Sequence, residues 1–157
     1  MSDYRVEMVR RELALVLRSG ERISGDVFLR PVSRHRSRPE DPADLLNDPE
    51  PFFALVREGE AMLVCKENVA RADTTYDAAE LDDLEASAVG ASLGVPVEVT
   101  LVDGSMCAGS IFLESRSDRP RLLDFLNSYR NRFLPVVAAS QVVLLNTHTI
   151  AHLREVA

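Results

Sequence analysis

Apolar and polar residues alternate in two well-separated stretches of the chain, 13–17 and 97–101. A period of two is typical of a β-strand that buries one face and exposes the other. Glycine follows shortly after each stretch, at Gly20 and Gly104, and a small polar residue precedes each glycine. Because glycine adopts positive φ without a steric clash, this pattern predicts that each strand ends in a tight hairpin.

The two stretches belong to longer segments that match each other. Residues 13–30 align with residues 97–114 without a gap, and the matches stay collinear over 11–71 and 95–154. Matched positions further along the chain are Asp44 with Asp124, Asn47 with Asn127, Phe53 with Phe133 and Val56 with Val136. Collinear similarity over segments of this length indicates an internal duplication of one β-rich unit.

Each copy is predicted to contain five strands and one short helix, in the order β-β-α-β-β-β. Gly25 and Gly109 lie inside the second strand of each copy, which indicates a sharp bend or bulge there. The proline positions and apolar spacing that follow predict helices at 42–48 and 121–129. Strand character then returns, and the predicted strands are 52–57, 60–72, 132–138 and 141–154.

An acidic segment separates the two copies. Six carboxylates lie within 73–85 without any lysine or arginine, and they account for most of the net charge of −7. We expect a first module at 1–72, a linker at 73–94 that is helical over 77–88, and a second module at 95–157. Nucleic-acid binding needs clustered positive charge to displace counterions, so this charge balance disfavours it.

The chain carries no pattern typical of a membrane or secreted protein. Its apolar runs are far shorter than the ~20 residues that a membrane-spanning helix needs, so we expect no membrane insertion. The N-terminal residues carry scattered charges and no apolar signal core, so we expect a cytoplasmic protein. Cys65 and Cys107 occupy different positions in the two copies, which favours free thiols over a disulfide.

The hairpin and bend pattern resembles that of Sm-like domains, which are small SH3-like barrels. The first Sm motif is similar to the segment from Val97 to Ile111, with alternating valines, an Asp-Gly turn and a later glycine. The end of the second motif is similar to VVLLNTHTIAHL, which has a strand, a tight turn and another strand. The resemblance implies a bacterial family, itself uncharacterised, of duplicated Sm-like modules.

Because this chain departs from the Sm pattern at the RNA-binding positions, the resemblance does not imply RNA binding. RNA-binding members have a glycine after a basic residue at the turn of the second motif, whereas this chain has Lys66-Glu67 and Asn146-Thr147 there. The aspartates of the two copies come later than the Asp-x-x-Asn element of those members and lie on the predicted helices. Those helices are themselves insertions relative to the Sm pattern.

We expect a mainly β protein with short helices, built from two small barrels. A module of about 60 residues buries too little surface to be more than marginally stable alone, so the copies should pack together. A pseudo-two-fold contact, like that of an isologous dimer, is the expected arrangement. Phe125 and Leu126 make the inserted helix apolar and a candidate for this contact.

Arginines follow the second strand of each copy and are the candidate binding residues. The guanidinium fork suits planar anions such as phosphates and carboxylates. The alternative is a solvated loop whose arginines are balanced by neighbouring carboxylates. The candidates for a ligand or anion site are Arg34, Arg36, Arg38, Arg116, Arg119 and Arg121.

Other reactive residue types are sparse. His148 and His152 would share one face of a helix, but in a strand they lie about 13 Å apart, so we expect no metal site. Asp44 and Asp124 could act in acid–base chemistry, although aspartates at helix ends more often cap backbone groups. No glycine-rich loop is followed by the Lys-Ser/Thr of a phosphate-binding motif, so we expect no cofactor.

The pattern as a whole favours a binding or scaffold protein without enzymatic activity. We expect it to recognise a protein or a small ligand, or to self-associate, with exposed strand edges available to a partner strand. The alternative is binding of RNA or a nucleotide through the arginine loops. That alternative predicts an affinity that falls steeply as the salt concentration rises.

Overall fold

The computed structural model describes residues 8–31, 39–77, 92–114 and 121–156. Within these ranges the protein is mainly β, with one antiparallel sheet and two short α-helices. The strands are β1 (Val9–Leu17), β2 (Arg22–Leu29), β3 (Phe52–Arg57), β4 (Glu60–Cys65), β5 (Val69–Asp77), β6 (Ser92–Leu101), β7 (Met106–Glu114), β8 (Phe133–Ala138), β9 (Gln141–Asn146) and β10 (Ile150–Glu155). The helices are α1 (Pro42–Asn47) and α2 (Leu122–Ser128).

The same order of elements occurs twice, β1-β2-α1-β3-β4-β5 in the first repeat and β6-β7-α2-β8-β9-β10 in the second. This is the predicted β-β-α-β-β-β order. The long strands predicted at 60–72 and 141–154 are each divided in two. A 3-10 turn interrupts each of them, at Lys66–Asn68 and at Thr147–Thr149.

Equivalent positions in the two repeats follow from the hairpins β3–β4 and β8–β9, which pair in the same register. Phe52 is opposite Cys65 in the first, and Phe133 is opposite Asn146 in the second. The sequence alignments of Phe53 with Phe133 and of Val56 with Val136 are therefore each wrong by one residue. A slip of one residue matters in a strand, because it moves every side chain to the other face of the sheet.

The glycine turns form where the alternation predicts them. Gly20 has a φ of 88° and Gly104 a φ of 90°, a region that residues with a Cβ rarely adopt. The amide of each glycine donates to the carbonyl of the residue three positions earlier. The two hairpins β1–β2 and β6–β7 thereby end in the same tight turn.

Gly25 and Gly109 mark the place where the second strand of each repeat passes very close to the third. A Cβ on Gly25 would lie 2.6 Å from the carbonyl oxygen of Val56, and one on Gly109 would lie 2.6 Å from that of Val137. Beside each glycine the second and third strands share a single register pair. The sheet therefore changes direction here in both repeats.

The strands lie in the order β10-β6-β7-β8-β9-β5-β1-β2-β3-β4. Each repeat contributes its fifth, first, second, third and fourth strand, in that order. The repeats meet where the fourth strand of the second pairs with the fifth strand of the first. The expected pseudo-two-fold contact is wrong. A two-fold axis would place the same strands of both repeats in the contact, whereas here the fourth strand of one repeat pairs with the fifth strand of the other. The repeats are instead arranged head to tail.

Two hydrophobic clusters form the core. The first lies mainly in the first repeat, but Phe133, Val142 and Leu144 of the second repeat complete it. The second cluster lies in the second repeat and includes Ala70 from the first. The cores are therefore built across the boundary between the repeats and not inside each repeat alone.

The strands extend into the segment predicted as a linker at 73–94. β5 continues to Asp77 and β6 begins at Ser92. Apart from Asp77, which is in β5, the helix predicted at 77–88 lies outside the described residues. No helix in the described ranges is long and apolar enough to cross a membrane.

Candidate functional site at the free edges of the sheet

The pairing of β5 with β9, which we call the internal seam, shows how this sheet accepts another strand. Ala72 lies opposite Leu144 and Asp73 opposite Val143. Leu144 packs in the first core and Val143 in the second, so β9 is buried on both faces. The fourth strand of the second repeat, β9, therefore carries apolar side chains on both faces where β5 covers its edge.

Side chains reinforce the internal seam by binding backbone groups of the other repeat. The Phe133 N–H donates to Asn47 Oδ1 at 2.8 Å, and Asn47 Nδ2 donates to the Phe133 carbonyl oxygen at 3.3 Å. Asn146 Nδ2 donates to the carbonyl oxygens of Glu67 at 3.2 Å and Val69 at 2.9 Å. These bonds add specific contacts to the strand ladder and help to fix its register.

Glu67 lies in the 3-10 turn before β5 and contacts charged groups of both repeats. Arg18 of the first repeat donates to its carboxylate, and Arg132 and His148 of the second each approach it to 3.4 Å. Desolvation raises the pKa of Glu67, but the hydrogen bond from His148 and the nearby positive charges outweigh it. The pKa of Glu67 therefore lies below its ordinary value of 4.5.

In the first repeat the strand equivalent to β9 is β4, which forms one end of the described sheet. Leu63 of β4 is 72% exposed, whereas its equivalent Leu144 is 0% exposed. Phe52, beside β4 at the start of β3, is 55% exposed, whereas its equivalent Phe133 is 0% exposed. The residues are apolar in both repeats, so the packing of Phe133 and Leu144 into the first core, and not composition, makes the difference in burial.

At the other end of the described sheet lies β10, the equivalent of β5. Ala70 and Ala72 of β5 are buried, but their equivalents Ala151 and Leu153 are exposed and half-buried respectively. Within the described residues each of these strands pairs on one side only, and we call β4 and β10 the free edges. Each presents the residue positions that the internal seam buries.

A cleft of about 300 Å³ opens beside β3. Lys66, the only lysine of the chain, lies in its wall, is 2% exposed, and donates from Nζ to the carbonyl oxygen of Asp48 at 3.0 Å. Burial lowers the pKa of Lys66, and the negative charges of Asp48 and Glu50 offset part of that effect. Phe28 and Phe52 give the cleft an apolar rim.

A second cleft, of about 280 Å³, lies between the hairpin ends of the two repeats. The polar groups in its wall bind one another. Arg71 Nε donates to Asp73 at 2.8 Å, and the Ser105 hydroxyl donates to Asp103 at 2.6 Å. The hydrogen bonds from Ser105 hold the pKa of Asp103 below its ordinary range.

Five of the six arginines predicted to bind a ligand fall in ranges that the structure does not describe. Arg34, Arg36, Arg38, Arg116 and Arg119 lie outside the described residues. Arg121 is exposed at the N-cap of α2, where its side chain makes no capping hydrogen bond. The anion-site hypothesis therefore keeps the standing of a sequence-based prediction.

The aspartates of the two repeats differ in their surroundings. Asp44 forms a capping box with Asp41 in α1: the Asp44 N–H donates to Asp41 Oδ1 at 2.8 Å, and the Asp41 N–H donates to Asp44 Oδ2 at 3.0 Å. Capping, the role expected for such residues, is confirmed for Asp44. Asp124 is exposed in the first turn of α2.

Two histidines and both cysteines of the chain lie in the described residues. His148 contacts Glu67 at the internal seam, and His152 is exposed on β10. No cluster of three potential metal ligands occurs in the ranges that the structure describes. Cys65 and Cys107 are free thiols, and burial raises the pKa of Cys107.

The local sequence pattern does not distinguish the free edge β4 from the covered strand β9. Residues 62–65 and 143–146 were matched as strands of similar apolar composition. Composition alone cannot tell that one strand is covered and the other is not, because that depends on the order of strands in the sheet.

Comparison of the chain with protein-family models, with curated proteins and with solved structures gives no match. The geometry of the molecule is therefore the basis for its functional assignment.

Proposed function

We propose that this protein is a non-enzymatic binding or scaffold module that recognises an extended partner strand through the edge of its sheet. The observation that carries this proposal is Leu63. It is 72% exposed on β4, while the equivalent Leu144 is fully buried in the first core of the same chain.

The physical basis is the chemistry of an unpaired strand. An edge strand presents a row of backbone N–H and C=O groups that can pair with another chain. In recognition by strand addition, main-chain hydrogen bonds provide affinity, and alternate side chains provide specificity. Met62 and Leu63 point to opposite faces of β4 and are both exposed apolar side chains. An edge of this kind favours pairing with a partner over remaining solvated.

Each repeat is, in this proposal, a small barrel-like module of the kind that the Sm resemblance implies. The close crossing of the second and third strands at Gly25 and Gly109 supports strong curvature. Each hydrophobic cluster draws most of its residues from one repeat, which supports a modular unit. The internal seam would then be one case of a general way in which such a module accepts a strand.

A peptide with the sequence of residues 69–76 tests the proposal, because this segment covers β9 at the internal seam. We expect the fluorescently labelled peptide to bind the full chain saturably and to protect the β4 amides from hydrogen exchange. The titration uses a protein concentration at which sedimentation gives the mass of a single chain, 17.4 kDa.

Leu63→Lys should abolish peptide binding, because it places a charge where the internal seam buries leucine. A peptide of scrambled sequence is the matched control for composition. Absence of binding up to the solubility limit of the peptide would contradict the proposed function.

A further inference from the structure

We propose that the partner of the β4 edge is the β10 edge of a second copy of this chain, in the register of the internal seam. This inference rests on the proposed function and names its partner. β4 is the equivalent of β9, and β10 is the equivalent of β5. The contact between chains therefore repeats a contact that the chain already makes within itself.

The hydrophobic cores carry the first argument. The first core is completed by Phe133, Val142 and Leu144 from the second repeat. Their equivalents in the first repeat are Phe52, Ala61 and Leu63, which are all exposed. The second core receives no such residues in the described chain. The side chains that would complete it are present at the opposite end of the same sheet.

The helices carry the second argument. Leu46 of α1 is buried in the first core at the internal seam, but its equivalent in α2, Leu126, is only half-buried. Leu123 of α2 is 59% exposed. α2 therefore has the apolar face of a seam helix without the strand that α1 contacts.

Asn127 is the most specific of these equivalences. Asn47 makes two hydrogen bonds to the backbone of Phe133 across the internal seam. Its equivalent Asn127 is exposed on α2. In the pairing between chains, Asn127 of one copy lies where it can make the same two bonds to the backbone of Phe52 of the next. The recurrence of asparagine at this position then has a common cause in both repeats.

Charge complementarity is also retained. Glu67 and His148 occupy equivalent 3-10 turns and contact each other at the internal seam. Between chains, Glu67 of one copy lies on the side of His148 of the next, so groups of opposite charge are neighbours again, while each keeps its contact within its own chain. One contact is lost, because the position of Asn146 is Cys65 in the first repeat.

The register follows directly from the internal seam. Ala72 lies opposite Leu144, so Leu153 of one chain lies opposite Leu63 of the next. Such a contact joins two different surfaces and is therefore heterologous. Repetition of it yields a closed ring if the rotation per chain closes, and an open filament if it does not.

Sedimentation of the full chain over a concentration series tests the proposal. We expect the wild-type chain to reach whole-number multiples of 17.4 kDa. Leu63→Lys and Ala151→Lys should each weaken association by about a hundredfold or more, because each buries a charge at one side of the contact. Both positions are exposed within the chain, so the variants are expected to fold, which circular dichroism verifies.

Met106→Lys is the matched control. Met106 is also an exposed apolar residue, but it lies on β7 in the interior of the sheet order. This variant should associate like the wild type. Equal weakening by all three substitutions would overturn the proposal, because it would indicate a general effect of charge.

Mixing the two edge variants distinguishes a head-to-tail contact from a symmetric one. Leu63→Lys retains an intact β10 edge and Ala151→Lys retains an intact β4 edge, so their mixture should form a species of two chains and no larger one. A wild-type chain that stays at one chain mass would overturn the self-pairing. If that chain still bound the 69–76 peptide, the proposed function would stand with a different partner.

Discussion

At the scale of single residues, contacts with backbone oxygens determine where this chain needs glycine and where it needs a cation. Gly25 and Gly109 face carbonyl oxygens at a distance that leaves no room for a Cβ. Lys66 lies among buried groups and places its ammonium on the carbonyl oxygen of Asp48. Both features are matters of space and solvation, so each makes a direct prediction about stability.

Gly25→Ala should lower the free energy of unfolding by about 2 kcal/mol, because the new methyl group would force β2 away from β3. The Cβ would lie 2.6 Å from the Val56 oxygen, which belongs to the backbone and cannot rotate away. Urea unfolding measures the change. Ser24→Ala, at an exposed neighbouring position, is the control and should change stability little. Equal stability of both variants would contradict the close-approach account.

Lys66→Met should change how stability depends on alkaline pH. Because burial lowers the folded pKa of Lys66 below 10.5, the folded chain releases this proton at a lower pH than the unfolded chain. The Lys66 contribution to stability therefore rises with pH from the folded pKa up to 10.5. Over that pH window, the free energy of unfolding of the wild type should increase relative to that of Lys66→Met, which urea unfolding at several pH values measures. Parallel pH profiles would count against a desolvated amine.

At the scale of elements, strand and helix positions could be predicted closely because they follow from local periodicity and turn chemistry. The hairpin glycines and both short helices lie at or within a residue of their predicted bounds. The turns at Lys66–Asn68 and Thr147–Thr149 were expected only from the resemblance to the second Sm motif, because the local periodicity around them indicates continuous strands. The role of Asn47 was also not predictable, because its partner Phe133 is remote in sequence.

Asn47→Ala should lower the free energy of unfolding by about 2 kcal/mol, because it removes the acceptor of the buried Phe133 N–H. Asn127→Ala is the matched variant in the other repeat. It should leave the stability of the dilute monomer unchanged and weaken association of chains instead. Thermal unfolding and sedimentation measure the two effects. A stability loss of the same size in both variants would show that the helices do not differ in the way described.

Glu67→Gln should reduce the acid sensitivity of the fold. The folded pKa of Glu67 lies below 4.5, so its carboxylate stabilises the fold above that pH and ceases to do so as pH falls through the folded value. Because the carboxylate is partly exposed, the contribution should be below about 1 kcal/mol. Thermal unfolding between neutral and acid pH measures it. Glu21→Gln, in the exposed first hairpin and away from the internal seam, is the control for the loss of one surface carboxylate.

At the scale of the whole molecule, the repeat could be predicted from the sequence but the arrangement of its copies could not. Similarity between the copies shows that each has the same strands, yet it does not say which edge of one meets which edge of the other. The local sequence pattern of each copy would be the same for a two-fold contact and for a head-to-tail contact. The choice became visible only in the pairing of β5 with β9. A head-to-tail pair of repeats leaves two different free edges, β4 and β10, and the proposed contact between chains joins these two edges.

Disulfide cross-linking in a defined register tests most directly the claim that β4 of one chain pairs with β10 of another. In a chain with Cys65→Ser and Cys107→Ala, we introduce Leu63→Cys and Leu153→Cys, which lie opposite each other in the proposed contact between chains. Opposed residues in paired strands fall within the Cα separation that a disulfide spans. The prediction is a ladder of cross-linked chains that reductant removes. The control pair, Met62→Cys with Leu153→Cys, is one residue out of register and should cross-link far less. Chains that remain single, or that cross-link equally with both pairs, would contradict the account.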